Sequence, residues 1–249
     1  MGRVIFIGAG PGSADLITVR GVRRLAEADV VLFDALTDPA LRELAPRARW
    51  VDVGKRGFGR AANQEAINAR LVREAQSHAC VVRLKGGDPS VFGRLEEELQ
   101  ALTEQGIPFE IVPGVTAALA AAADSARPLT RRGSGRSVSL TTAMTQLGTL
   151  QATRSADTEV FYMAGRQLGA LSRKLREAGW PADAPACVVS RAGWPDAITS
   201  AHRVDTLADA AVLHAGRPAV VTVGAGAAAL APRTTPADAS ATSLHMPAP

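Results

Sequence analysis

The sequence predicts a soluble two-domain α/β protein, and three observations support this. Short β-branched runs alternate with longer helical patterns along the 249 residues, the signature of a parallel sheet crossed by helices. Four of the strand-like runs in the first half end in a glycine-containing loop, the edge at which an open α/β sheet places its ligand. A Pro113–Gly114 turn closes that half, and apolar residues at 47% of the chain give ample material for a core.

In chain order, the first-half strand candidates are Val4–Gly8, Val30–Phe33, Trp50–Val53, Val81–Leu84 and Phe109–Val112. Each is a short run rich in β-branched or aromatic residues. A helix is expected to begin near Thr18. The clearest helix is Asn63–Gln76, where Ile67, Leu71 and Ala75 repeat every four residues on one face and Asn63 suits the N-cap. Thr116–Asp124 reads as an alanine-rich helix whose small side chains allow close packing. The second half offers strands at Ser137–Thr141, Glu159–Met163, Ala186–Ser190, Ile198–Val204 and Ala219–Val223, with helices at Gln167–Ala178 and Thr206–His214. The boundary at Val112–Thr116 gives domains 1–114 and 115–226. From about Ala227 onward the chain is Ala, Pro, Thr and Ser without periodicity, and residues 227–249 are expected to be a disordered tail.

Composition narrows the function classes. Aromatic residues make up only 4%, too few for the stacking platforms of single-stranded nucleic-acid binding. The net charge of +4 suits an acidic small molecule and equally suits solubility alone. Cys80 and Cys187 sit inside apolar strand-like runs and read as buried hydrophobes of a reducing compartment. The four histidines show no metal-ligand spacing, so no metal site is expected. Neither a signal peptide nor a run of about 18 apolar residues is present, which points to a cytoplasmic protein without a membrane partner.

Four motifs bear on chemistry. Gly8-Ala9-Gly10-Pro11-Gly12 follows a buried strand, and its glycines allow a sharp turn and close ligand approach. It is not a phosphate-cradling P-loop, because no Gly-Lys-Ser/Thr follows. A dinucleotide site would want a third glycine where Ser13 stands, although Asp34 imitates the ribose-binding acid. Another cofactor site at a strand end fits equally. Arg83-Leu84-Lys85-Gly86-Gly87-Asp88-Pro89, with Val91-Phe92-Gly93-Arg94 after it, is either a plain turn or a ligand edge with Asp88 as acceptor. Val112–Ala117 leads into a helix with Thr116 as a natural N-cap. Val53-Gly54-Lys55-Arg56 puts two cations beside a glycine, attractive to phosphate or carboxylate. Together these loops indicate a ligand site on the first domain without naming the ligand.

Read jointly, GAGPG, GKRG, RLKGGDP and VPGVTA in this order resemble the tetrapyrrole (corrin/porphyrin) methylase family. Within it the likeness is greatest to the branch that methylates uroporphyrinogen III. Further matching stretches are VIFIGAGPGSADLITVRG at 4–21, PLT at 128–130 and VFYMAG at 160–165. The resemblance implies a parallel-sheet N-terminal domain, a mixed-sheet C-terminal domain, a cofactor cleft between them, and a homodimer. It implies S-adenosylmethionine as donor, S-adenosylhomocysteine as its product, and an acidic tetrapyrrole as acceptor, with C-methylation of uroporphyrinogen III giving precorrin-2. On this likeness the donor site comprises Pro11, Gly86, Gly87, Asp88, Val91, Thr116, Ala117, Met163 and Ala192. The last stands where the family has glycine, which a methyl tolerates only outside glycine-specific backbone. Asp34 falls on the family's proton acceptor and Lys55 on its proton donor, while Arg56, Arg94, Thr130, Arg131 and Arg132 are candidates for the acceptor's carboxylates.

The sequence departs from the family on the acceptor side. Asp34-Ala35-Leu36-Thr37 lacks an arginine, Thr130-Arg131-Arg132-Gly133 lacks a histidine and an aspartate, and Thr141-Thr142-Ala143-Met144 lacks a histidine. Leu95-Glu96 replaces a Gly-Gly pair. These changes leave open a different tetrapyrrole acceptor or a donor-binding regulator without turnover. No fused dehydrogenase or ferrochelatase pattern is seen, so a stand-alone methyltransferase is expected.

Overall fold

The computed structural model describes residues 2–54, 60–144 and 149–230. The first sheet is formed by β1 (Arg3–Gly8), β2 (Val30–Phe33), β3 (Arg49–Asp52), β4 (Cys80–Lys85) and β5 (Phe109–Val112). All its neighbours are parallel, in the order β3-β2-β4-β1-β5. Alternation decides which side each residue serves. Ile5 and Ile7 pack towards α1 (Val19–Leu25), whereas Val4 and Phe6 pack towards α2 (Arg60–Ser77) and α3 (Leu95–Glu104). β1 and β2 are covered on both faces and so read as nearly unbroken apolar runs.

The second sheet contains β6 (Val138–Thr142), β7 (Thr158–Tyr162), β8 (Pro185–Ser190), β9 (Ile198–Arg203) and β10 (Ala219–Gly224). Its order is β6-β7-β10-β8-β9, with β6 parallel to β7 and every other pair antiparallel, a mixed sheet. One face packs against α5 (Leu168–Glu177) and the turn around Leu207–Ala210. The other carries α4 (Ala117–Asp124), where Ala118, Ala120 and Ala121 lie against Val160, Cys187, Val189 and Val220. The alanines let this helix sit close, so it forms the wall between the two halves. The chain crosses between the sheets at Pro113–Thr116. Both cysteines are buried and unbridged.

Three expectations need correction. Asn63 lies inside α2, which begins at Arg60, and is not its N-cap. The helix expected over 206–214 is a 3-10 turn at Leu207–Asp209 followed by the short α6 (Ala210–Leu213). Ala227 is buried and ends a 3-10 turn, so the expected tail does not start there, and residues 231–249 lie outside the described residues.

Candidate donor and acceptor site between the two sheets

The glycine loops meet at the carboxyl ends of β1, β4 and β5. Gly10 and Gly87 exchange backbone hydrogen bonds of 3.2 and 2.7 Å. A Cβ on Gly8 would stand 2.6 Å from the Gly114 Cα, and one on Gly114 would stand 2.3 Å from the Gly87 oxygen. No side chain fits at Gly8 or at Gly114, which is why both of these positions need glycine. The neighbouring Gly87 differs. It is buried with φ +71°, yet a Cβ there would meet nothing nearer than 3.9 Å, from Thr116 and Val115. An added methyl would thus find room there, and the space that the loops after β1, β4 and β5 enclose with the start of α4 is the candidate hollow.

Asp88 frames the hollow. One carboxylate oxygen accepts from the Ser90 amide at 2.8 Å and the other from the Gly114 amide at 2.9 Å, tying the loop after β4 to the loop after β5. From the second half, Thr116 stands at the N-terminus of α4. Its hydroxyl does not cap the helix but pairs with the Tyr162 hydroxyl at 2.7 Å, and the Ala118 amide donates to that same phenol at 3.3 Å. Burial raises the Tyr162 pKa, and Asp88 adds to this against those two hydrogen bonds, so the phenol stays protonated. The Phe92 ring lies 4.9 Å from that of Tyr162 and joins the halves across the hollow. On the remaining side the Ser13 amide donates to the Gly193 carbonyl, and the Gly193 amide donates to Asp124.

Pro11, Gly86, Gly87, Asp88, Val91, Thr116 and Ala117 lie on the loops and helix start that these contacts join, and Met163 and Ala192 follow β7 and β8 of the second sheet. Met163 is 57% exposed, with φ 60°. Ala192 has no positive φ; its neighbours Arg191 and Gly193 take up the left-handed conformations instead, so its methyl is accommodated. Among the described residues five non-glycines have positive φ, and four of them, Phe92, Arg94, Met163 and Arg191, are on the loops after β4, β7 and β8. Such strain persists where surrounding structure over-determines it, a pattern concentrated at functional sites.

Asp34 follows β2 on the rim. Its Oδ1 accepts from the Arg83 guanidinium at 2.7 Å, while Oδ2 makes no hydrogen bond among the described residues. A Cβ on Gly86 would be 3.4 Å from the Cβ of Leu36, which sets the Asp34–Thr37 turn beside the hollow. Sequence reasoning missed what lies beneath. Arg83 and Lys85 alternate with Leu84 and face α3, where Glu98 is fully buried. Glu98 accepts from Lys85 at 3.0 Å through both oxygens, and from Arg83 and Gln64 at 3.2 Å. Burial lowers the Lys85 pKa, with Arg83 adding to the shift and Glu98 opposing it. Burial also acts to lower that of Arg83, but Asp34 and Glu98 outweigh it and the net direction is upward. The available signal was two cations in an otherwise apolar central strand, with a carboxylate inside the Leu95, Leu99, Leu102 stripe.

Other candidates are not gathered here. Arg94 is at the rim and pairs with Glu97 at 2.7 Å. Thr130, Arg131 and Arg132 lie at the opposite end of the second sheet, where Leu129 accepts from Thr158, whereas Tyr162 ends the same strand at the hollow. The Arg131 guanidinium donates to the carbonyls of Ala228 and Ala229. An open depression of about 550 Å³ beside it is lined by Arg154, Trp180 and Asp183 and is remote from the glycine loops. Lys55 and Arg56 lie outside the described residues.

Comparison with known proteins decides the lineage. The tetrapyrrole (corrin/porphyrin) methylase family matches residues 3–208. The chain belongs to this family. Among relatives, a uroporphyrinogen-III C-methyltransferase of Pseudomonas aeruginosa is 44% identical over 195 residues, 77% of this chain and 80% of that protein. A siroheme synthase of Zymomonas mobilis is 41% identical over 229 residues, covering 90% of this chain. The chain spans 48% of that relative's length. Among solved structures, the uroporphyrin-III C-methyltransferase of Thermus thermophilus in complex with S-adenosylhomocysteine aligns with a TM-score of 0.79 at 37% identity, over 90% of this chain and 97% of that one. A cobalt precorrin-4 methyltransferase aligns at 0.78 and 30% identity, over 89% and 94%. The two α/β halves and the mixed second sheet are thus those of a tetrapyrrole methylase. No described helix is long and apolar enough to cross a membrane.

Proposed function

We propose that this tetrapyrrole methylase transfers methyl groups from S-adenosylmethionine to ring carbons of uroporphyrinogen III, giving precorrin-2. The observation that carries the reading is the hollow beside Gly87, walled by backbone from three strand ends and by α4. It suits a ligand recognised through backbone groups, and the Thermus thermophilus relative that binds S-adenosylhomocysteine has the same fold. The fold alone does not choose the acceptor, because the cobalt precorrin-4 enzyme aligns almost as well. The 44% identity to the Pseudomonas aeruginosa enzyme favours uroporphyrinogen III.

The donor, when bound, supplies an already activated methyl cation equivalent, so the protein's task is alignment. Holding reactants in line can supply roughly 7–11 kcal/mol of a barrier. Gly86, Gly87, Thr116 and Ala192 would seat the donor, with Asp88 holding the loops that carry it. The acceptor lies towards Asp34, Phe92 and Arg94. As the new carbon–carbon bond forms, the substrate loses a proton, and Asp34 can take it through Oδ2, since Oδ1 is held by Arg83. Lys55 is assigned the proton-donor role and Arg56 carboxylate binding on sequence grounds alone. A homodimer would cover apolar side chains left exposed on the edge strand β5 and on α4, namely Phe109, Ile111 and Leu119. Anaerobic incubation of the protein with both substrates should give a methylated tetrapyrrole by mass spectrometry. Tight donor binding with no mass gain on any tetrapyrrole would instead identify a regulator.

A further inference from the structure

The geometry points to Glu98 as the positioning residue for Asp34: from the buried face of α3 it fixes the Arg83 guanidinium, which in turn holds the carboxylate at the rim. This rests on the reading of Asp34 as the proton acceptor. The contacts form a directional chain. Arg83, 2% exposed, donates its Nε to Glu98 at 3.2 Å, its Nη1 to the carbonyls of Leu32 and Leu84 at 3.4 and 3.3 Å, and its Nη2 to Asp34 at 2.7 Å. Nε and Nη1 are thus anchored in the core, and Nη2, itself 3.2 Å from Glu98, reaches at 2.7 Å the only partly exposed carboxylate of the group, Asp34 at 33%.

Charge explains the rest of the cluster. Glu98 has no access to water, so its charge needs partners, and Lys85 chelates both oxygens while Gln64 adds a third donor type. Asp34, Arg83, Glu98 and Lys85 then sum to zero. A buried ion pair of this sort is seldom the most stable way to fill a core, since matched apolar side chains often do as well or better. Its use here is directional. An apolar pair could fill the volume but could not clamp the planar guanidinium in one orientation.

The test replaces the buried pair with an apolar one, Lys85→Met together with Glu98→Leu, in the full chain. The expected result is a kcat lowered at least tenfold, with the S-adenosylmethionine dissociation constant within twofold of the starting protein and an undiminished melting temperature. Glu98→Gln, which keeps shape and one acceptor, should lower kcat more weakly with the dissociation constant unchanged, at a reduced melting temperature because Lys85 loses its counter-charge, and serves if the double variant does not fold. Asp34→Asn is measured alongside. If Asp34→Asn collapses turnover while the folded variants keep kcat within twofold, the positioning role is wrong and Asp34 stands. If Asp34→Asn itself turns over normally, the reading of Asp34 fails and the inference falls with it.

Discussion

Replacing Gly87 with alanine separates two costs that glycine avoids at this position. The backbone there has φ +71°, and an added Cβ would meet no protein atom nearer than 3.9 Å. The clash term within the protein is therefore absent, and the folding cost is conformational, roughly 1–2 kcal/mol for an L-residue held left-handed. For a chain of this size that lowers the melting temperature by about 2–8 °C. The new methyl would instead project into the hollow where the donor is proposed to sit. Overpacking of about 1.4–2.8 kcal/mol there corresponds to a roughly 10–100-fold weaker dissociation constant. Gly114→Ala is the contrast. Its Cβ would lie 2.3 Å from the Gly87 oxygen and 2.7 Å from the Gly8 Cα, both backbone, so the loops themselves must part and the protein loses more stability. Thermal melts and titration calorimetry with S-adenosylmethionine distinguish the two. A Gly87→Ala protein that melts lower but binds the donor as tightly as before would show that the hollow is not the donor's seat.

Two further outcomes follow from side chains away from the glycines. Arg131→Met should lower the melting temperature by freeing Ala228 and Ala229 while leaving the KM for the tetrapyrrole unchanged; a raised KM with unaltered stability would return this arginine to the acceptor site. His214 is fully buried between Ser190 and Ser200, and burial, then His202 and Arg217, depress its pKa below the usual imidazole value. Because the unfolded chain binds this proton more readily, the stability contribution is complete above the usual value and is lost as pH falls through it. Melting temperatures should therefore drop more steeply from about pH 7 to about pH 5 in the native chain than in His214→Asn, and equal slopes would contradict this.

Much of the molecule was legible in the order of its residues. Val30–Phe33 coincides with the observed strand because a strand buried on both faces is an uninterrupted apolar run. The glycine loops were legible for a related reason: sharp turns and tight backbone approach are demands met locally by residue type. The helix over 206–214 was misjudged because Thr206–His214 has the right pattern but breaks after one 3-10 turn. α3 received no range of its own, since Glu96, Glu97 and Glu98 blur its apolar face.

What the chain order determined by itself was the alternation of elements and the position of every glycine-bearing strand end. Tertiary structure alone decided which of those ends converge and what supports them. Glu98 meets Lys85 and Arg83 across thirteen and fifteen positions, and Arg131 meets Ala228 across ninety-seven. Turn chemistry acts between neighbours and leaves its mark in short motifs. Charge compensation in a core and capture of a distant carbonyl depend on which faces the folded sheets bring together, and no local pattern encodes that pairing.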